Sequence, residues 1–264
     1  MSSIIFLVWL GLGIFFILRA NERGYFKTTP FKITIPAVLL ISSFLLYFGL
    51  TFISAFFLST FHLKGEIIHF FFSLLLSGSL LVLTFFYLPP ETLKKILGFK
   101  KSLLKSIAIG ILAWLIIFPF IFLLSQVIDG LLAYFFKIKQ MPDQIAVEYM
   151  KNALKSPSTF ILALFSTLVF APLIEEYLFR GLLQNFLKNY LSVSKSIIVS
   201  SFIFALFHFA PGQKAANLTI VSCLFLLSLV LGFLYEKYKT LWTPIVLHAT
   251  FNFLSILNLL FFTK

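Results

Sequence analysis

Five ionisable residues stand in otherwise apolar stretches of this sequence: Glu175, Glu176 and Arg180 in FAPLIEEYLFRGLL, His208 in FIFALFHF, and His248 in PIVLHATFNF, which also carries Asn252. Charged groups held in hydrocarbon cost several kcal/mol, so those present are expected to face a helix-bundle interior and to have a task. On a helix, Glu176 and Arg180 share one face, with the acid N-terminal to the base as a favourable pair requires. Glu175 is about 100° further round. Glu176 is thus expected to be ionised by Arg180, leaving Glu175 free to act as a base toward water. Phe204 shares a face with His208, and His248 with Asn252. A carboxylate and an imidazole can share a proton, and neutral donors can meet a developing negative charge.

The elements that hold these residues follow from composition. Of the 264 residues, 60% are hydrophobic, 19% aromatic and 11% charged, against about 25% charged in a soluble domain. Apolar stretches of about 20 residues, the length needed to cross the bilayer core, recur throughout. The predicted fold is all-α: a polytopic membrane helix bundle of about eight transmembrane helices, near 2–18, 33–61, 67–88, 107–128, 159–182, 196–210, 216–235 and 241–262. The stretch 196–210 is short, and 129–136 either extends the fourth span or lies at the interface. The N-terminal apolar run lacks a basic n-region and a small-residue cleavage site, and is expected to be a retained span.

The net charge of +12 does not form a nucleic-acid face, because the basic residues sit in short gaps between spans and suit lipid headgroups. Odd-numbered loops hold 13 Lys and Arg, and even loops with the C-terminus hold seven. Short cytoplasmic loops retain basic residues, so both ends of the chain are expected to face away from the cytoplasm. Glu175, His208 and His248 then fall roughly 6 to 18 Å below the cytoplasmic surface. Apolar spacing at Ile145, Val147, Met150 and Leu154 suggests a short interfacial helix. Cys223, the single cysteine, lies in an apolar stretch, which excludes an intrachain disulfide and a zinc-thiolate cluster.

EEYLFR fits EExxxR, Phe204 to His208 fits FxxxH, and His248 to Asn252 fits HxxxN. In order and spacing these resemble the CPBP (Abi) family of intramembrane proteases, which includes the type II CAAX prenyl endopeptidases. The resemblance covers roughly 107–262, so residues 1–106 are taken as N-terminal transmembrane helices without a motif, and 107–264 as a CPBP-type protease core. It implies an eight-helix bundle with a cavity open toward the cytosol. It also implies that Glu175 with His208 activates the attacking water, that His248 with Asn252 stabilises the oxyanion, and that Glu176, Arg180 and Phe204 support them. No cofactor is firmly predicted. Glu175, His208 and His248 could also bind a divalent metal such as zinc with an open position, although no HExxH is present.

The expected activity is therefore an intramembrane endopeptidase acting on a membrane-associated or C-terminally lipidated or hydrophobic protein or peptide. The bilayer is its other partner, no nucleic acid is involved, and the expected location is a bacterial plasma membrane. The alternatives are a non-catalytic immunity or scaffold factor, which would not need Glu175, and a proton-coupled transporter, for which no inverted repeat is found. His62 and His69 belong to no motif and are assigned packing roles. Asp129 and Glu236 are placed at span ends. Pro172 and Pro244 are expected to loosen their helices beside a cavity.

Overall fold

Backbone polar groups in hydrocarbon must be satisfied within the segment, and long runs of Leu, Ile and Phe can do so only as helices. A computed structural model describes residues 3–29, 31–61, 65–99, 102–137 and 145–262. Its helices are α1 Ser3–Glu22, α2 Ala37–Phe61, α3 Gly65–Tyr87, α4 Pro90–Leu97, α5 Leu103–Phe136, α6 Ile145–Ala153, α7 Pro157–Leu187, α8 Val193–Leu206, α9 Ala216–Tyr238 and α10 Trp242–Phe262. Among the described residues seven of them, α1 to α3, α5, α7, α9 and α10, are long and apolar enough to cross a membrane. The protein is a polytopic all-helical membrane bundle.

The expected sixth span becomes α8, which has 14 residues and a length of about 21 Å, short of the roughly 30 Å hydrocarbon core. It ends at Leu206 because Pro211 lies ahead and the backbone turns, with the His208 amide bonding the Ala205 carbonyl. The fourth span runs on through 129–136 as part of α5. The expected short helix is α6, whose Met150 and Ala153 are buried against Ala163, Ile256 and Leu259.

The largest core joins Leu39 and Leu40 of α2, Leu76 and Leu80 of α3 and Ile96 of α4 to Ile174, Leu178, Phe179 and Leu182 of α7. A second joins Trp114, Ile117 and Ile121 of α5 to Leu227, Leu231 and Leu234 of α9 and Leu247 of α10. Small residues set the closest approaches, as membrane helices require. A β-carbon at Gly110 would lie 2.6 Å from Val246 Cγ1, and one at Gly232 would lie 2.8 Å from Gln184 Oε1.

The expectations for Pro244 and Asp129 change, while Glu236 stays near the end of its span. Pro244 is the third residue of α10, in the first turn, where no N–H is needed; it starts that helix rather than loosening it. Glu236 is fully buried and paired with Lys188 at 2.6 Å, and Asp129, within α5, accepts a hydrogen bond from Thr219 at 2.6 Å. Apolar hydropathy alone could not show either pairing, because the partners of Glu236 and Asp129 lie 48 and 90 positions away in sequence and act only after helices pack. His62 lies outside the described residues, and of His69 only its place on α3 is described.

Candidate active site

Helix α7 is irregular where it carries the two glutamates. Residues Ser166–Phe170 and Tyr177–Gln184 are π-helical and bracket the α-helical turn Ala171–Glu176. Such wide turns frequently occur at functional sites. Pro172 explains the first: it has no N–H to give, and the Ala171 amide reaches back five residues to the Ser166 carbonyl. The Thr167 carbonyl is the acceptor that a residue-172 amide would have used in this register. It accepts instead from Asn252 Nδ2 at 2.9 Å. The loosening expected at Pro172 is thus a specific widening, repaired by a side chain from α10.

One turn further, Glu176 Oε1 accepts from Arg180 Nη1 at 3.0 Å and pairs with His248 Nδ1 at 2.9 Å. All three side chains are buried. Arg180 also donates to the Ser228 hydroxyl at 2.7 Å and the Ser228 carbonyl at 3.3 Å, and its guanidinium lies 4.6 Å from the Phe204 ring centroid. The charge is thereby neutralised within the bundle and both terminal nitrogens of the guanidinium find acceptors. Phe204 further touches the rings of His208 at 4.8 Å and His248 at 5.9 Å.

His208 lies past the end of α8 rather than on its face, yet it keeps the expected relation to Phe204 because its Nδ1 is 3.0 Å from the Phe204 carbonyl. A carbonyl only accepts, so Nδ1 of His208 carries a proton, and Nε2 of the neutral ring presents a lone pair. The Glu176 carboxylate imposes the same tautomer on neutral His248. Both Nε2 atoms face Glu175 Oε2, at 3.8 Å for His208 and 3.9 Å for His248. That carboxylate oxygen is buried and has no hydrogen-bond donor among the described residues. Side-chain exposure rises from 0% at Glu176 through 6% at His248 and 15% at Glu175 to 34% at His208, so the site opens on the His208 side.

Three acceptors converging without a donor between them suit a molecule that brings protons. Separations of 3.8 and 3.9 Å allow one water oxygen at a hydrogen-bond distance of roughly 2.8 Å from the carboxylate and an imidazole together. A zinc site would draw the same atoms to ligand separations of roughly 3.3 Å, given metal–ligand bonds of about 2.0 to 2.1 Å in a tetrahedron. Among the described residues no group of three His, Cys, Asp or Glu side chains is arranged to hold a metal ion. The triad therefore does not fit a metal as placed, although each imidazole has the oriented Nδ1 that a ligand would have.

The seven side chains singled out from the sequence, Glu175, Glu176, Arg180, Phe204, His208, His248 and Asn252, come from α7, the α8 end and α10. Sequence reasoning missed Ser228, Gln184, Lys188 and Glu236. They form a polar seam at a constant offset of 48 residues between parallel α7 and α9: Arg180 with Ser228, Gln184 with the Gly232 carbonyl, and Lys188 with Glu236. The available signal was small or polar residues at Ser228, Gly232 and Glu236, four apart on one helix. At the seam's end the Lys188 ammonium also donates to the Phe31 carbonyl at 2.9 Å and lies 4.1 Å from the Phe31 ring. Burial holds its pKa below the ordinary lysine value, while Glu236 acts in the opposite direction.

Residues 157–254 match the family model of the type II CAAX prenyl endopeptidases, Rce1-like. No curated protein and no solved structure matched the chain. The matched stretch starts with α7, ends within α10, and contains every motif residue gathered at the site. This protein therefore carries a domain of the Rce1-like type II CAAX prenyl endopeptidase family, in keeping with the CPBP resemblance of its sequence.

Proposed function

We propose that this protein is an intramembrane endopeptidase that hydrolyses a peptide bond of a membrane-associated or C-terminally lipidated or hydrophobic substrate, using water activated by Glu175 and His208. The observation that carries the reading is the approach of Glu175 Oε2 to two imidazole Nε2 atoms that present lone pairs. Water bound there would give one proton to Glu175 while its second hydrogen is held by His208. Its oxygen bonds the carbonyl carbon, and the carbonyl π pair moves to oxygen. Collapse of that oxyanion breaks the C–N bond, and the proton on Glu175 passes to the departing amine. The products are a carboxylic acid and an amine.

His248 and Asn252 are the proposed oxyanion partners. His248 needs a second proton, on Nε2, to donate, and Asn252 has one amide hydrogen beyond that given to Thr167. Glu176 and Arg180 fix the His248 ring. The greater exposure of His208 favours substrate entry past the C-terminal end of α8.

The test is purified protein in detergent with quenched fluorescent peptides bearing either a prenylated cysteine or an unmodified apolar tail near the C-terminus. Wild type is expected to cleave at least one peptide, and Glu175→Ala and His208→Ala are expected to lower kcat by at least about 10³-fold, the scale of losing a water-activating group. Full activity in both variants overturns the mechanism. Activity that disappears with a chelator and returns with zinc would replace the carboxylate–imidazole pair by metal-bound water.

A further inference from the structure

The C-terminal end of α1 closes in a Schellman turn, with the Tyr25 amide bonded to the Ala20 carbonyl and the Gly24 amide to that of Asn21. Gly24 takes the left-handed backbone that this turn requires, at φ 66°. The chain is thereby led to α9, where the Lys237 ammonium donates to the Tyr25 carbonyl and, at 3.0 Å, to the Lys27 carbonyl, and lies 4.6 Å from the Tyr25 ring centroid. The Tyr25 hydroxyl meets that of Tyr238. Beside this junction is a cavity of about 420 Å³, lined by Phe16, Arg19, Arg23 and Tyr25 on the α1 side and by Lys237 on the other. Its size is that of a ligand site.

The charges around the cavity do not cancel. Arg19 pairs with Glu22 at 3.2 Å, but both side chains are largely exposed, and solvent weakens such a pair. The Arg23 side chain has no hydrogen bond or ion pair among the described residues. Glu236, next to Lys237 in sequence, is buried and taken by Lys188. Lys237 itself bonds only neutral carbonyls there, so its charge persists. A helix C-terminus ordinarily repels anions, yet here the turn and Lys237 have taken up its carbonyls. Arg19 and Arg23, four apart on one face, present the forked donors that match phosphate oxygens.

We propose that this cavity binds the phosphate headgroup of an anionic phospholipid, held by Arg19, Arg23 and Lys237. The observation that selects a lipid is the surface next to the cavity: Phe16 at its edge and Leu12 one turn earlier on α1 are exposed apolar side chains. An acyl chain covers them, whereas a soluble phosphate leaves them bare. Basic pockets between membrane helices suit such headgroups. The site uses no residue of the candidate active site and does not depend on the hydrolytic reading.

The test is native mass spectrometry of the full chain in detergent with dioleoylphosphatidylglycerol or dioleoylphosphatidylcholine. Wild type is expected to bind the anionic lipid at least about 20-fold more tightly, since each Lys or Arg beside an anionic lipid is worth roughly fivefold and two charges are uncompensated. Arg19→Gln with Arg23→Gln is expected to cut that preference to within about threefold, while Lys94→Gln with Lys95→Gln, an equal loss of charge on α4, is expected to keep it. An equal loss in both double variants, or a preference retained without the arginines, overturns the site. If the arginine variant melts below wild type in phosphatidylcholine, Arg23→Gln alone decides: a loss of preference of at least about threefold supports the site, and a smaller one overturns it. Glycerol phosphate at the lipid's concentration is expected not to displace it, and displacement overturns the lipid assignment in favour of a soluble phosphate.

Discussion

Asn252 links the backbone to the site. Its amide serves the Thr167 carbonyl that Pro172 leaves without a donor, so its geometry depends on a residue 80 positions earlier. Asn252→Ala strips that carbonyl of its partner, at a cost of about 1–3 kcal/mol. In a Pro172→Ala background the restored N–H can close the ladder, directly in the π register or by letting α7 tighten to an α-helix. The cost of Asn252→Ala is then expected to shrink by about 1 kcal/mol, a coupling that a double-mutant cycle on melting in detergent measures. Additive costs would show that Asn252 does not repair the proline. Activity should be low in every variant lacking Asn252 if the residue also faces the oxyanion, which separates its two tasks.

The seam between α7 and α9 belongs to the scale of elements. Lys188 and Glu236 are almost fully buried and 2.6 Å apart. Removing one partner leaves a buried charge and costs about 3–5 kcal/mol, whereas replacing both with apolar residues of similar volume is often neutral or stabilising. Lys188→Met and Glu236→Leu are thus each expected to lower the melting temperature strongly, and the double variant to approach wild type. A double variant as unstable as the sum of the singles would sink this view of the pair. The seam also marks what the sequence could convey. EExxxR and HxxxN were legible because their partners lie within one helical turn, and the bundle was legible because hydrocarbon permits little else. Glu176 with His248, Arg180 with Ser228 and Lys188 with Glu236 are pairings across helices, with no local periodicity to announce them. His208 shows the limit within a motif: the spacing to Phe204 was right, but Nδ1 capping of a carbonyl in a turn, rather than a shared helix face, maintains it.

For the whole molecule, the question is whether the stretch containing the motifs works without the first three helices. In a bilayer the apolar faces of Leu178, Phe179 and Leu182 could be covered by lipid as well as by α2 and α3, so hydrophobic burial gives little reason for the halves to stay together. The polar and aromatic contacts give more. Lys188 needs the Phe31 carbonyl and ring, Tyr177 has its hydroxyl bound to Thr84, and Phe44 packs on both Phe179 and Phe207 beside the site. A fragment of residues 107–264 can still insert, since α5, α7, α9 and α10 are long and apolar, but its Lys188 loses two partners and the His208 turn loses its support. Produced alone, the fragment is expected to reach the membrane yet cleave the wild-type peptide at least about 10²-fold more slowly, the scale on which misplacing a catalytic group is felt. Co-production of residues 1–106 as a separate chain is expected to restore a substantial part of that activity, because the contacts between the halves need proximity and no peptide bond. A fragment with wild-type kcat would show that the first three helices do not contribute the support assigned to them.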